Sequence, residues 1–247
     1  MGPSLQYGRN IVISGGTSGI GLACAKRLLD EGAQVWVTGT SFDSAERARR
    51  LAPALSGVSV CDISDESAVA RLFEAVGNCF DHLDGAFVNA GIDGKGVAFS
   101  QIELGHLRRV IDVNVIGAFL FARAAAELIG DHGAIVFNAS VNAIRPEPRF
   151  ADYNLSKAAV ASLAKTLALE LAPRHIAVSA VCAGYVKTPM TAEAIDDPDV
   201  AERLLAQVPA ARFGRADEVA NLVSFLLEPQ AAYMTGSLVT IDGGRSV

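Results

Sequence analysis

The sequence predicts an α/β protein, a single doubly wound parallel sheet of about seven strands with helices on both faces. Two observations predict it. Short β-rich runs alternate with longer stretches of helical periodicity along the chain, the pattern of a parallel sheet covered on both sides. The strand-like runs are nearly continuous in apolar residues, as strands buried on both faces must be. No linker, repeat or low-complexity segment intervenes, so residues 1–247 are expected to form one domain.

The elements follow in order. NIVIS (10–14) reads as the first strand. Gly19 to Asp30 reads as a helix, with Ile20, Ala23, Cys24, Leu28 and Leu29 on or near one face. QVWVTG (34–39) and VSVCD (58–62) are the second and third strands. Asp65 caps a helix running to about Asn78. LDGAFVN (83–89) is the fourth strand, and a long helix spans about Leu104 to Ile129. AIVFNAS (134–140) is the fifth strand. A second long helix covers about Asp152 to Leu171, and IAVSAVCA (176–183) is the sixth strand. Residues 189 to 214 are mixed and proline-bearing, Ala216 to Leu227 is a helix, and SLVTID (237–242) closes the sheet.

Composition excludes several classes. The net charge is −6 and no Lys/Arg run exceeds two residues, so the basic stripe of a nucleic-acid binder is missing. The longest apolar run, near 115–129, is broken by Arg123 and Glu127 and is too short for a bilayer. The start, MGPSLQYGRN, has no apolar signal core, and Gln6 stands where a myristoylation signal needs Ser or Thr. Cys24, Cys61, Cys79 and Cys182 are scattered and read as buried thiols in a reducing, cytoplasmic setting. The four histidines form no metal-binding pair, so no catalytic metal is expected.

In a doubly wound sheet, ligands bind beyond the carboxyl ends of the strands. The first strand runs into SGGTSGIG (14–21), with Gly15, Gly19 and Gly21 at the strand-to-helix turn. Glycine lets backbone approach a phosphate, and a helix N-terminus offers free N–H groups. The spacing is GxxxGxG rather than GxGxxG. Asp62-Ile63 follow the third strand. Two readings of Asp62 stay open, an acceptor for an adenine amine or a cap for the next helix. Asn89-Ala90-Gly91 end the fourth strand with small residues. Asn114 sits in an apolar helix interior and needs a partner. Ser140 ends the fifth strand, and Tyr153 and Lys157 lie one helical turn apart on the following helix.

Taken together, GGTSGIG, NAG, Asn114, Ser140 and Tyr153-x-x-x-Lys157, with thirteen residues from Ser140 to Tyr153, resemble the short-chain dehydrogenase/reductase family over about residues 10–247. AQVPAARFGRADEVANLVSFLL and YMTGSLVTIDGG resemble its subgroup of 3-oxoacyl-carrier-protein reductases and small-alcohol dehydrogenases. The resemblance implies a Rossmann-like fold and an oxidoreductase that interconverts a ketone and a secondary alcohol. Tyr153 is then the general acid/base, and Lys157 lowers its pKa and holds the nicotinamide ribose. Ser140 polarises the substrate oxygen, and Asn114 anchors a relay water. The implied cofactor contacts are Gly15, Thr17, Ser18, Gly19, Ile20, Thr40, Ser41, Asp62, Ile63, Asn89, Ala90, Gly91, Tyr153, Lys157, Gly184, Val186 and Thr188. Two positions depart from the family: Ala183 replaces the usual proline before Gly184, loosening that loop, and Val88 replaces the first Asn of NNAG.

The second strand ends in Gly39-Thr40-Ser41, without the carboxylate that binds a ribose hydroxyl in NAD-preferring members. This favours NADP(H), with NAD(H) left open, because Ser18 and Thr40 are not the basic residues that often clamp the 2′-phosphate. Arg47 is either a distant substitute or a solvated helix charge. The substrate is expected to be a small or medium ketone or alcohol, facing loops 92–103, 141–152 and 184–214, the last a substrate-loop insertion. Arg145 and Arg149 read as carboxylate partners or as solvated loop charges. A carrier-protein role needs a basic docking patch, of which only Arg174 is present. The helix from Asp152 is apolar nearly all round, which suggests burial against the sheet and a second subunit. The resemblance implies a homotetramer. A regulator that binds dinucleotide without chemistry could lose Tyr153 or Lys157, yet both are present. An epimerase or dehydratase of the same fold needs a longer chain.

Overall fold

The computed structural model describes residues 6–247. The N-terminal reading at residues 1–5 lies outside them. Nine strands are present among these residues. β1 (Asn10–Ile13), β2 (Gln34–Gly39), β3 (Gly57–Val60), β4 (Leu83–Val88), β5 (Ile129–Asn138), β6 (Ala177–Ala183) and β9 (Leu238–Ile241) form one seven-stranded sheet in the order β3-β2-β1-β4-β5-β6-β9. Every pairing is parallel. The chain direction of assembly reverses between β1 and β4, so a crevice opens there at the strand ends.

Helices cover both faces. α1 (Gly19–Asp30), α2 (Phe42–Leu51) and α9 (Ala216–Leu227) flank one core, which includes Ile11, Ile13, Leu28, Val37, Phe87 and Leu227. α3 (Glu66–Cys79), α5 (Ala118–Leu128) and α6 (Ala151–Glu170) pack on the other, around Phe73, Phe121, Ile135, Phe137 and Val160. Each fully buried aromatic or aliphatic side chain contributes roughly 1.5–3 kcal/mol relative to exposure.

Three departures from the sequence reading matter. α2 was not apparent because its residues, FDSAERARRL, are mostly polar. Its formation rests on a capping box between Ser41 and Ser44 and on Ala45 and Ala48, the two residues it buries. The long helix is interrupted: α4 (Leu104–Ile111) passes into a π-helical turn, Asp112–Gly117, before α5. β5 also starts at Ile129, where a register irregularity lies between Leu83 and Gly85 on β4. In the 184–214 segment, β7 (Val186–Lys187) pairs with β8 (Gly214–Arg215) around the short helices α7 (Ala192–Asp196) and α8 (Pro198–Leu205). Cys79 is exposed, and the other three cysteines are buried. No helix among the described residues is long and apolar enough to cross a membrane.

Candidate active site

The turn after β1 is shaped by backbone rather than side chains. Gly15 and Gly19 have φ of 62° and 51°, in the left-handed region that favours glycine. A Cβ on Gly21 would stand 2.3 Å from the Gly15 carbonyl oxygen, so the start of α1 packs directly on the turn. Ser18, the N-cap of α1, makes no side-chain capping bond, and no acidic residue lies in the first turn. The first-turn N–H groups and the positive helix end therefore face the crevice, a geometry suited to a pyrophosphate.

The strand ends are tied together behind this turn. The Ser14 hydroxyl accepts from the N–H groups of Asn89 (2.9 Å) and Ala90 (3.1 Å). Asn89 Nδ2 donates to the carbonyls of Ser14 and Gly15, both at 3.0 Å. Asn138 Nδ2 in turn donates to Asn89 Oδ1 at 2.9 Å. One chain of polar contacts thus fixes the ends of β1, β4 and β5. Sequence reasoning missed Ser14 and Asn138. Their signal was a polar residue ending an otherwise apolar strand.

A cleft of about 300 Å³ runs along these ends. It is lined by Gly15, Thr17, Ser18, Gly19, Ile20, Thr40, Asp62, Ile63, Asn89, Ala90, Gly91 and Thr188 of the expected set. Ser41 is not among the lining residues, because its hydroxyl accepts from Ser44 N (3.2 Å) to cap α2. Asp62 is committed to its own loop: Oδ1 accepts from the N–H and hydroxyl of Ser64, and Oδ2 pairs with Arg109 at 3.2 Å. These bonds, the Ser64 hydroxyl first, hold its carboxyl below the usual range. The helix cap is Asp65, not Asp62. The cleft and its glycine-lined floor fit a nicotinamide dinucleotide.

A second pocket of about 100 Å³ adjoins it, sharing Ile20, Asn89, Gly91, Ile92, Asn138, Thr188 and Met190. Its walls bring together Ser140, Tyr153, Lys157, Gly184 and Val186. Lys157 is 4% exposed, and its Nζ donates to the Asn138 carbonyl (2.7 Å) and lies 5.6 Å from the Tyr153 ring centre. Burial pushes the Lys157 pKa down to about 8, while the carboxylate of Asp93 pulls the other way. The Tyr153 phenol is pushed up, first by burial and then by Asp93, and a hydrogen bond with Ser140 opposes them. Burial and Asp93 thus outweigh the Ser140 hydrogen bond at this phenol. Asp93 was not foreseen, and its own carboxyl is raised, chiefly by burial.

Asn114 is buried (1% exposed) within the π-helical turn and sits outside both pockets. Its Oδ1 accepts from Ile92 N (2.8 Å), and its Nδ2 donates to Ile92 O (2.9 Å) and Ser156 Oγ (3.0 Å). The partner it needed is the backbone just after Gly91. The widened turn is a feature common at functional sites. Gly184 is held by a hydrogen bond from its N–H to Ile241 O (3.0 Å), so the Ala183 substitution leaves the start of that loop pinned to β9.

A family model described as enoyl-(acyl carrier protein) reductase matches residues 15–246. Glucose 1-dehydrogenase of Gluconobacter oxydans is 35% identical, covering 97% of this chain and 92% of that protein. The structure of a 3-ketoacyl-(acyl-carrier-protein) reductase from Brucella melitensis complexed with NADH superposes with a TM-score of 0.89 at 31% identity, covering 98% of this chain and all of that one. The Pseudomonas aeruginosa RhlG/NADP complex superposes with a TM-score of 0.92 at 30% identity, over the whole of both chains. This chain belongs to the short-chain dehydrogenase/reductase family and is an NAD(P)-dependent oxidoreductase.

Proposed function

We propose that the chain works as a single cytoplasmic domain, an NADP(H)-dependent enzyme interconverting a ketone and a secondary alcohol. The observation that carries this is the convergence of Ser140, Tyr153 and Lys157 on one small pocket beside the dinucleotide-shaped cleft. The nicotinamide supplies or accepts the hydride when bound. In reduction, Tyr153 gives its phenolic proton to the carbonyl oxygen, and the Ser140 hydroxyl donates a hydrogen bond to the same oxygen as charge develops there. The high phenol pKa keeps that proton in place for the reductive direction. Lys157 bonds the ribose and lowers the phenolate's energy as it forms. Asn114 acts by fixing Ile92 and hence the Gly91 backbone above Lys157.

NADP(H) is favoured because the end of β2 carries no carboxylate and Thr40 lines the cleft. A homotetramer is supported by exposed apolar residues on the helices, Leu155 (56%) and Leu169 (80%) on α6 and Phe119 on α5. The segment 184–214 serves as the substrate loop. A dedicated ketone fits better than a carrier-protein substrate. Arg174 is engaged by Asp131 (3.5 Å) and by the Ala126 carbonyl (2.7 Å), and so does not form a free docking charge. The kinship with the Brucella reductase keeps 3-oxoacyl-carrier-protein reduction as the second reading.

The test is a panel of ketones and alcohols with both cofactors, followed by nicotinamide absorbance, on the parent and Tyr153→Phe. NADPH turnover lost in the variant, with cofactor binding intact, is the expected result. Retained turnover in Tyr153→Phe would refute the mechanism.

A further inference from the structure

Past β9 the chain turns back into the protein. Gly243 and Gly244 have φ of 65° and 89°, and the Asp242 carboxylate accepts from Gly244 N (2.9 Å) and Ser246 N (2.7 Å). This turn drives Arg245 inward until it is 2% exposed. A buried guanidinium is costly unless its donors are paired. Here Nη2 pairs with Glu147 Oε2 at 3.1 Å and Nη1 donates to Asn142 Oδ1 at 3.3 Å, while the buried Nε has no hydrogen-bond partner among the described residues. The guanidinium also lies 4.5 Å from the Tyr185 ring centre, and Tyr185 donates its hydroxyl to Glu147 Oε1 at 2.9 Å. Arg145 donates to the Arg245 carbonyl.

The partners of Arg245 all adjoin residues of the catalytic pocket. Asn142 N donates to Ser140 Oγ (3.1 Å), and Asn142 Nδ2 donates to Asn154 Oδ1 (2.9 Å), beside Tyr153. Asn154 Nδ2 donates to the Glu147 carbonyl (2.7 Å). Tyr185 directly follows Gly184. Two segments that follow the neighbouring strands β5 and β6, 141–154 and 184–185, therefore meet on one buried cation.

We infer that Arg245 is a positioning residue of this enzyme: its ion pair with Glu147 and its contacts with Asn142 and Tyr185 hold the Ser140 loop and the Gly184 loop at the spacing the carbonyl needs. The inference rests on the ketone-reducing reading for its catalytic consequence. Its structural content, one cation locking two loops, stands apart from that reading. Small misplacements of oriented groups cost large factors in rate.

Hydrogen exchange by mass spectrometry on the full chain tests it, together with NADPH titration and ethyl acetoacetate kinetics on parent, Arg245→Met and Arg245→Lys. In Arg245→Met, amides in 141–150 and 184–191 are expected to exchange at least about tenfold faster, with α6 unchanged. The kcat falls about tenfold while the NADPH Kd stays within about twofold, and Arg245→Lys recovers part of both effects. Unchanged exchange in the two loops, or acceleration spread through the whole sheet, overturns the inference. So does an unchanged kcat. Should Arg245→Met not fold, Glu147→Gln and Tyr185→Phe must loosen the same two segments, and parent-like exchange in both overturns it. Failure of the ketone reading shows separately, as a parent enzyme that turns over no ketone in the panel. The exchange experiment then still decides the role of Arg245.

Discussion

Replacing Asn114 by alanine is expected to cost both stability and activity, and the cost follows from its hydrogen bonds. The side chain satisfies the N–H and the carbonyl of Ile92 at 2.8 and 2.9 Å, from a site 1% exposed. Its third partner, the Ser156 hydroxyl, still donates to Tyr153 O (2.8 Å) and keeps a partner. The loss therefore falls on two backbone groups at about 1–3 kcal/mol each, giving roughly 4 kcal/mol in all. For a chain of this size each kcal/mol moves the melting temperature by about 2–4 °C, so Asn114→Ala should melt roughly 8–16 °C lower. Freed from its anchor, Ile92 no longer fixes Gly91, where a Cβ would lie 3.5 Å from Lys157 Nζ. Cofactor affinity and kcat should drop together. Differential scanning calorimetry and nicotinamide turnover measure the two. A variant melting within about 2 °C of the parent would refute the assignment of Asn114 as the strap on the 91–92 backbone.

Two further outcomes are expected. Gly21→Ala puts a Cβ 2.3 Å from the Gly15 carbonyl and 2.6 Å from Asn89 Nδ2, so the turn must open; about 1–3 kcal/mol of stability should be lost and dinucleotide affinity should fall at least about tenfold, read by fluorescence titration of NADPH, and parent-like affinity would contradict the cradle. Lys157 has a folded pKa lowered by burial from 10.5 to about 8, so its ammonium form is penalised below that pH and the penalty fades as pH rises toward the unfolded value. A ribose hydroxyl bound by the ammonium reverses this preference, so NADPH binding should weaken as pH rises above about 8, by at most about tenfold per unit, and Lys157→Met should abolish the pH dependence. A Kd flat from about pH 7 to about pH 9 in the parent would rule that ribose contact out.

The chain order of the site is legible in the sequence. Gly15, Asn89, Ser140, Tyr153 and Lys157 each follow or end a strand of the parallel sheet, or lie on the helix after it. Strands apolar on both faces and helices of 3.6-residue period leave little choice but a doubly wound sheet, whose carboxyl edge is the site. Asn114 advertised itself as a polar residue in an apolar helix, although its partner did not.

Tertiary structure alone decided what depends on distant segments meeting. The family resemblance implies Ser41 as a cofactor contact, and the structure adds that it caps a helix too polar to show in the pattern. Asp93 and the burial around Tyr153 and Lys157 set the acidities, and burial has no local sequence signal. Nothing in the local sequence marks Arg245, near the end of the chain. Only the turn at Gly243 and Gly244 carries it beneath the loops of Glu147, 98 positions earlier, and Tyr185. Periodicity fixes local structure because its physics is local, whereas the pairing of a buried cation is settled by which segments the folded sheet brings together.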